Sequence, residues 1–350
     1  MAGVTYKCPN CGAYLTFDPE TQQWKCPFCS SAFPESELKG KAEAFQKEAE
    51  KEAKEPSSGA QVVYHCPSCG SEIMTDETTV ATHCYYCHSP VVLQGKLTAD
   101  MKPDEVLPFT IGREKAIEEI SEWIRTRKFV PKKFFSKAQI QEMSGVYYPH
   151  FVSECQTEGV LDGEATTSDV FDEGKYVVTN TRHYHVRREG RFVFKDILRP
   201  ALSKANRKLT EGVHPFPLED AKPFSGAFLS GFLAERRDLE ADSYRQEIEQ
   251  ELQGYMNSML RDTASQYETC SASTSSAMKN IKTKYVLLPT WVLTYPNKKN
   301  KDEPYYYVMN GCTGQVCGKL PVDQGRLWRH GLLAGLIVAA LFCVLAYFLF

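Results

Sequence analysis

Several catalytic signatures are absent from this sequence. There is no G-x-x-x-x-G-K-[ST] loop to cradle phosphates, which excludes a P-loop motor. Neither HExxH nor GxSxG occurs, so a zincin or a nucleophile-elbow hydrolase is excluded as well. The opening residues, Met-Ala-Gly-Val-Thr-Tyr-Lys, contain no apolar run, and no secretory signal is expected. Net charge is scarce: the formal value is only -3 over 350 residues, too balanced for a wholly basic nucleic-acid coat. Hydrophobic residues make up 42% and charged residues 24%, so disorder is not expected, and the length allows two or three domains.

What is present is concentrated at the two ends. Of 13 cysteines, eight fall in four C-x2-C pairs near the N-terminus. Cys8, Cys11, Cys26 and Cys29 are spaced C-x2-C-x14-C-x2-C, and Cys66, Cys69, Cys84 and Cys87 repeat that spacing. Two residues between thiolates let a tight turn present both sulfurs to one ion, and two such knuckles complete a tetrahedral four-sulfur shell. An odd cysteine total with this pairing fits metal ligation in a reducing compartment better than disulfides. The spacing therefore predicts two zinc ribbons, over 1–38 and 61–95, each holding one Zn2+ with no open coordination position. Iron would fit the same sulfur geometry; zinc is preferred on context. Ala13–Phe17, Gln23–Lys25 and Thr78–Thr82 read as ribbon strands. Lys7 and Lys25 adjoin ligands and are expected to offset thiolate charge. His65, His83 and His88 flank the second set as surface or supporting residues. With little core of their own, the ribbons should take most of their folding energy from zinc. Residues 39–60, rich in Ala, Glu and Lys, read as a charged helical linker that lets the two ribbons move independently.

At the other end, residues 331–350 carry no polar side chain except the Tyr347 hydroxyl and the weakly polar Cys343. A helix of that length rises about 30 Å, the thickness of a bilayer core. Arg326, Arg329 and His330 precede it. The expectation is a single-pass, tail-anchored protein of the cell membrane, with the large N-terminal part cytoplasmic by the positive-inside rule. The alternative is a buried helix of the globular body, but no polar face is visible.

Between the ends, residues 105–325 read as a beta-rich alpha+beta domain. Ala116, Ile117, Ile120, Trp123 and Ile124 recur at helical spacing over 113–127. Arg125, Arg127, Lys128, Lys132, Lys133 and Lys137 follow without an intervening acid, interleaved with Phe129, Phe134 and Phe135. Such a patch can bind phosphates and stack bases, or meet an anionic membrane surface, or simply be solvated lysines over core aromatics. Val146–Val152 begins a strand. Tyr184, Val186, Phe192 and Phe194 alternate about Glu189-Gly190, which reads as a hairpin turn. Arg187, Arg188 and Arg191 belong to a second basic stretch there and are further candidate anion or nucleic-acid contacts. His183 and His185 share a strand face with no obvious carboxylate. Residues 235–265 read as an amphipathic helix whose stripe is Tyr244, Ile248, Leu252, Tyr255 and Met259. Strands return at Lys284–Leu293 and Tyr305–Met309, with turns at Asn310-Gly311 and Thr313-Gly314. Tyr147-Tyr148-Pro149 and Leu287-Leu288-Pro289 look like the starts of two related beta subunits. Cys312 and Cys317 could meet across a hairpin, although unpaired core thiols are the default.

The two C-P-x-C ribbons, Pro108–Ile111 leading to Phe129–Phe134, the Gly145–Pro149 strand, Phe224-Ser225-Gly226 and Asn310–Gly318 together resemble a family of bacterial proteins described as containing a TFIIB-type zinc ribbon. Some members carry the label of the primosomal helicase PriA. The resemblance implies zinc and the ribbon fold but no activity, and the absent P-loop excludes helicase function. The expectation is a membrane-anchored adaptor whose ribbons bind a macromolecule on the cytoplasmic side, a nucleic acid or an anionic protein surface. The alternative is a protein–protein scaffold or sensor in which the ribbons are purely structural. No catalytic residue is assigned, and an enzyme site assembled from distant residues stays open.

Overall fold

The computed structural model describes residues 6–38, 61–65, 72–76, 78–83, 90–92, 101–131, 143–203, 211–295 and 305–349. The charged linker 39–60, together with Lys132, Lys133, Phe134, Phe135 and Lys137, lies outside the described residues.

Three long strands form the spine: β9 (Ser144–Glu173), β10 (Tyr176–Pro200) and β13 (Thr269–Tyr295), of 30, 25 and 27 residues. At about 3.3 Å per residue, the contour of β9 is about 100 Å. β13 pairs antiparallel with one edge of β9, from Ser144↔Val292 to Thr166↔Thr269. β10 pairs with the other edge, from His150↔Pro200 out to Glu173↔Tyr176. The reversal between β9 and β10 is at Gly174, whose φ of +68° suits glycine. The hairpin turn expected at Glu189-Gly190 is therefore corrected, because Gly190 sits mid-strand opposite Gly159. The period-two pattern of Tyr184, Val186, Phe192 and Phe194 passes through 189–190 without a break in phase. It marks one face of a single strand, not two arms. The two similar segments are likewise not the starts of separate subunits. They lie opposite each other in one sheet, with Pro289 against Tyr147 and Leu288 against Tyr148.

One face of this three-stranded blade is covered by α2 (Arg245–Asp262). Its buried side chains are Ile248, Leu252, Met256 and Leu260. The expected stripe is corrected at its C-terminal half, where Tyr255 and Met259 are 56% and 52% exposed. A row spaced by four throughout runs obliquely across a helix, and so follows a twisted sheet better than a straight stripe does. Leu161, Ala165 and Val186 receive Met256 and Leu260. Gly159 makes room for this contact: a Cβ there would lie 2.4 Å from Met256 Sδ. Buried Arg199 of β10 reaches Glu247, at 3.3 Å, and Glu251, clasping the helix to the blade.

Toward its other end the spine joins short strands β8 (Glu105–Val106), β11 (Lys222–Pro223), β12 (Leu233–Glu235), β14 (Tyr305–Asn310) and β15 (Val316–Lys319). The core there is aromatic. Phe109 stacks on Phe232 at 4.3 Å between ring centroids, with Tyr147 and Trp291 against both. The Trp291 indole donates to the Ile111 carbonyl at 3.0 Å. Helix α1 (Arg113–Arg125) adds Ala116 and Ile120 to this core, as its spacing predicts. The β14–β15 turn follows the Asn-Gly and Thr-Gly signals. Buried Asn310 organises it, donating to the Val213 and Pro215 carbonyls and accepting from the Cys312 and Thr313 N–H groups. Cys312 and Cys317 are both free thiols.

The chain ends in α3 (Gln324–Leu349), which is long and apolar enough to cross a membrane. Leu332, Leu336, Ile337, Leu341 and Phe342 are all exposed, so this is not a core helix of the body. The helix begins before the apolar run and carries Arg326, Arg329 and His330 in its first two turns.

His150 is 2% exposed on β9. Its Nδ1 lies 3.1 Å from the Tyr148 carbonyl, and burial, with His214 near by, lowers its pKa from 6.5 to about 4. The folded state holds this ring neutral, so its contribution to stability is present above the ordinary pKa and is lost as pH falls from there. Stability should drop by about 2 kcal/mol between about pH 7 and about pH 5. Denaturant melts of the wild type and His150→Phe measure this; an equal slope in both would remove His150 as the cause.

Candidate metal centre

The first cysteine set is assembled by two matching turns. The Cys8 N–H donates to the Ala13 carbonyl at 2.7 Å, and the Gly12 N–H donates back to the Cys8 carbonyl at 2.9 Å. The second turn repeats this, with Cys26 N–H to Ser31 carbonyl at 2.8 Å and Ser30 N–H to Cys26 carbonyl at 3.0 Å. Gly12 and Ser30, each following the second cysteine of its pair, have φ of +77° and +59°. The two turns are joined by a hydrogen bond from Asn10 Nδ2 to Ser31 Oγ, 2.9 Å. Strands β1 (Thr16–Asp18), β2 (Gln23–Lys25) and β3 (Ala32–Phe33) form a small antiparallel sheet behind them, largely where the alternation predicts strands.

All four Sγ atoms lie within 4.8 Å of one another and could hold a metal ion. Cys8 and Cys29 are 3.5 Å apart, and Cys11 and Cys26 3.4 Å. A tetrahedral site with metal–sulfur bonds of about 2.3 Å has edges of about 3.8 Å, so the cluster is close to the required size. The four thiols also perturb one another. Hydrogen bonding to Ser31 lowers the Cys29 thiol to about 6. Cys11, although the Ala13 backbone N–H opposes the shift, is raised to about 12 by hydrogen bonding with Cys26. Four clustered thiols cannot all ionise without a positive charge among them. Lys25, expected to offset thiolate charge, pairs with Asp18. Lys7 lies over the Tyr14 ring, 5.6 Å from its centroid. Cys66, Cys69, Cys84 and Cys87 lie outside the described residues.

The first module is not an independently moving unit. Its interior, Tyr6, Leu15, Phe17, Trp24 and Leu38, is continuous with the core of the body. Trp24 is 1% exposed, packs on Phe228 at 5.3 Å, and donates its indole N–H to the Ala227 carbonyl at 2.9 Å. The Phe17 N–H donates to the Ser230 carbonyl at 2.9 Å, the Ser230 hydroxyl to Leu15, and the Gln22 amide to the Phe109 carbonyl at 2.8 Å. Strands of the second module, β6 (Thr79–His83) and β7 (Pro90–Val92), extend the main sheet through β12, where Ala81 pairs with Ala234. β4 (Gln61–His65) and β5 (Glu72–Asp76) pair with each other. The segment 225–236 thus receives both modules in succession. The Phe224-Ser225-Gly226 stretch was the visible trace of this platform, but nothing in it announces a partner more than 190 residues earlier in the chain.

The basic residues divide. On the blade, Arg187 pairs with Glu189 and Asp162, Arg191 with Glu158, Arg182 with Asp169, and His185 with Asp162 at 3.2 Å. Arg188 donates to the Arg187 carbonyl. Carboxylates from β9, out of sight in a linear reading of β10, answer most of that charge. Arg125, Arg127 and Lys128 are exposed at the end of α1, and the Arg127 guanidinium lies 4.8 Å over the Trp123 ring.

The chain is 28% identical over 339 residues to YdjG, an uncharacterised protein of Bacillus subtilis strain 168, covering 96% of each. No family model and no solved structure matches the chain.

Because Trp24 ties the cysteine cluster to the body, metal removal should be felt throughout. Stripping metal with a chelator should lower the thermal transition of the whole β-rich body, and Cys8→Ser should reproduce the shift. Trp24→Ala should cost about 3–5 kcal/mol. A body transition indifferent to both chelator and Cys8→Ser would show that the cluster contributes nothing to its stability.

Proposed function

We propose that this protein is a membrane-anchored zinc-ribbon scaffold, binding two Zn2+ through Cys8, Cys11, Cys26 and Cys29 and through Cys66, Cys69, Cys84 and Cys87, that presents its blade to a protein partner on the cytoplasmic side. The observation that carries this is the end of the blade. Beyond the last β13 pairing at Thr166, β9 and β10 continue as a two-stranded hairpin whose tip exposes Val170, Phe171, Tyr176 and Val177 by 50–77%. A soluble protein gains nothing by displaying apolar side chains on a projecting hairpin unless something covers them. The ion pairs along the blade favour a protein partner over a nucleic acid, since paired arginines release few phosphate counterions. The ribbons are read as structural, because four cysteines per ion would leave no open coordination position and the first set is committed to the body through Trp24.

Three measurements bear on this reading. Metal analysis of the full-length protein should give two zinc ions per chain. Alkaline extraction should leave the protein in the membrane fraction, and removal of 331–350 should release it. A photo-crosslinking side chain at Tyr176 in intact cells should trap a discrete protein, and Phe171→Ser with Val177→Ser should abolish the adduct. The nucleic-acid alternative is tested by titrating DNA and RNA against the detergent-solubilised protein: tight binding that weakens steeply with salt would replace the protein-partner reading.

A further inference from the structure

We propose that a cleft at the root of α3 binds the anionic headgroup of a phospholipid in the leaflet facing the folded body; this rests on reading 331–350 as a membrane span. The cleft has a volume of about 530 Å³ and lies between the C-terminal end of α1 and the segment entering α3. Trp123, Arg127, Lys128 and Phe129 line one side, Pro321 and Val322 the other. Its size is that of a small-molecule site.

The charges in this cleft differ from those on the blade. Neither Arg127 nor Lys128 forms an ion pair with a described carboxylate. Stacking on Trp123 fixes the Arg127 guanidinium while leaving its N–H donors available for a phosphate. Two acids border this region: Glu122 is exposed beside Trp123 on α1, and Asp323 is engaged, its carboxylate accepting from the Arg326 N–H at 3.1 Å and pairing with the Arg326 side chain at 3.5 Å. A phosphate entering the cleft therefore meets Arg127 and Lys128, together with apolar walls suited to a glycerol backbone.

The cleft is also held at the right height. The Asp323 N–H donates to the Phe129 carbonyl at 2.7 Å, tying the α1 side to the start of α3. The Phe129 ring packs against His330 at 5.6 Å, one residue before the apolar run begins. Headgroup layers are only about 5–7 Å deep on each side of the hydrocarbon. A wall touching His330 therefore stands at headgroup level once the apolar run is in the bilayer, and a soluble anion would need no such placement.

The test uses full-length protein in nanodiscs of mixed phosphatidylcholine and phosphatidylglycerol, followed by mass spectrometry of lipid retained after gentle detergent extraction. Wild type should retain phosphatidylglycerol over phosphatidylcholine by about tenfold. Arg127→Gln with Lys128→Gln should lose that preference, while Arg127→Lys keeps most of it, and all variants should melt as wild type does. Retention without headgroup preference, or a preference unchanged in the double variant, overturns the proposal. So does complete displacement of the lipid by excess inorganic phosphate, which would mark a free-anion site. Failure of the wild type to insert into nanodiscs would instead sink the membrane reading, and is scored separately by alkaline extraction.

Discussion

The pairing of β9 with β13 is the constraint on which the remaining architecture rests. It runs from Ser144 against Val292 to Thr166 against Thr269 and brings together segments more than 100 residues apart. One end of this ladder is buried on both faces and carries Tyr147 and Trp291 into the aromatic core. The other end is covered on one face by α2 alone and continues outward as a bare hairpin. A register slip of one residue would turn every side chain of the blade to the opposite face. Gly159 would then no longer lie beneath Met256, and the oblique row on α2 would lose its bed.

The same ladder fixes the platform on which the N-terminal modules sit. β12 pairs parallel with β9 at Val146 and Tyr147, which places the preceding 225–232 turn over the aromatic core. That turn offers Phe228 and the Ala227 carbonyl to Trp24, while β12 itself offers an edge to β6. The cysteine modules are therefore parts of the body. The four-sulfur cluster sits at a point where two distant pieces of chain meet, so a metal bound there would cross-link them.

Charge is distributed in a way that linear counting hides. Arg182, Arg187 and Arg191 of β10 are answered across the hairpin by carboxylates of β9, and Arg199 by two glutamates of α2, so a stretch that is basic in sequence is largely paired in space. The smaller group at the end of α1 keeps its positive field. There Asp323 is spent on capping α3 and on Arg326, and Arg127 is held by an aromatic ring instead of an acid. Position relative to the apolar helix, more than the number of lysines, gives that group its proposed partner.

By itself the sequence determined what short-range physics controls. The C-x2-C spacing brings four sulfurs together because a two-residue gap is enough to close each turn. The unbroken apolar run from 331 makes a helix that no described residue of the body buries. Asn310-Gly311 and Thr313-Gly314 make a turn because the backbone there calls for those residues. Only the tertiary structure decided the rest. The period-two pattern around Gly190 is the same for a hairpin and for one continuous strand, and the pairing of Gly190 with Gly159 chose between them. The amphipathic helix expected over 235–265 is confined to 245–262, since 233–235 is taken by β12, and its buried row shifted from Tyr255 and Met259 to Met256 and Leu260, because the twist of the surface beneath sets that row. Trp24 was legible as a ribbon residue, while its docking on Ala227 was not, since contacts between segments so far apart leave no local trace.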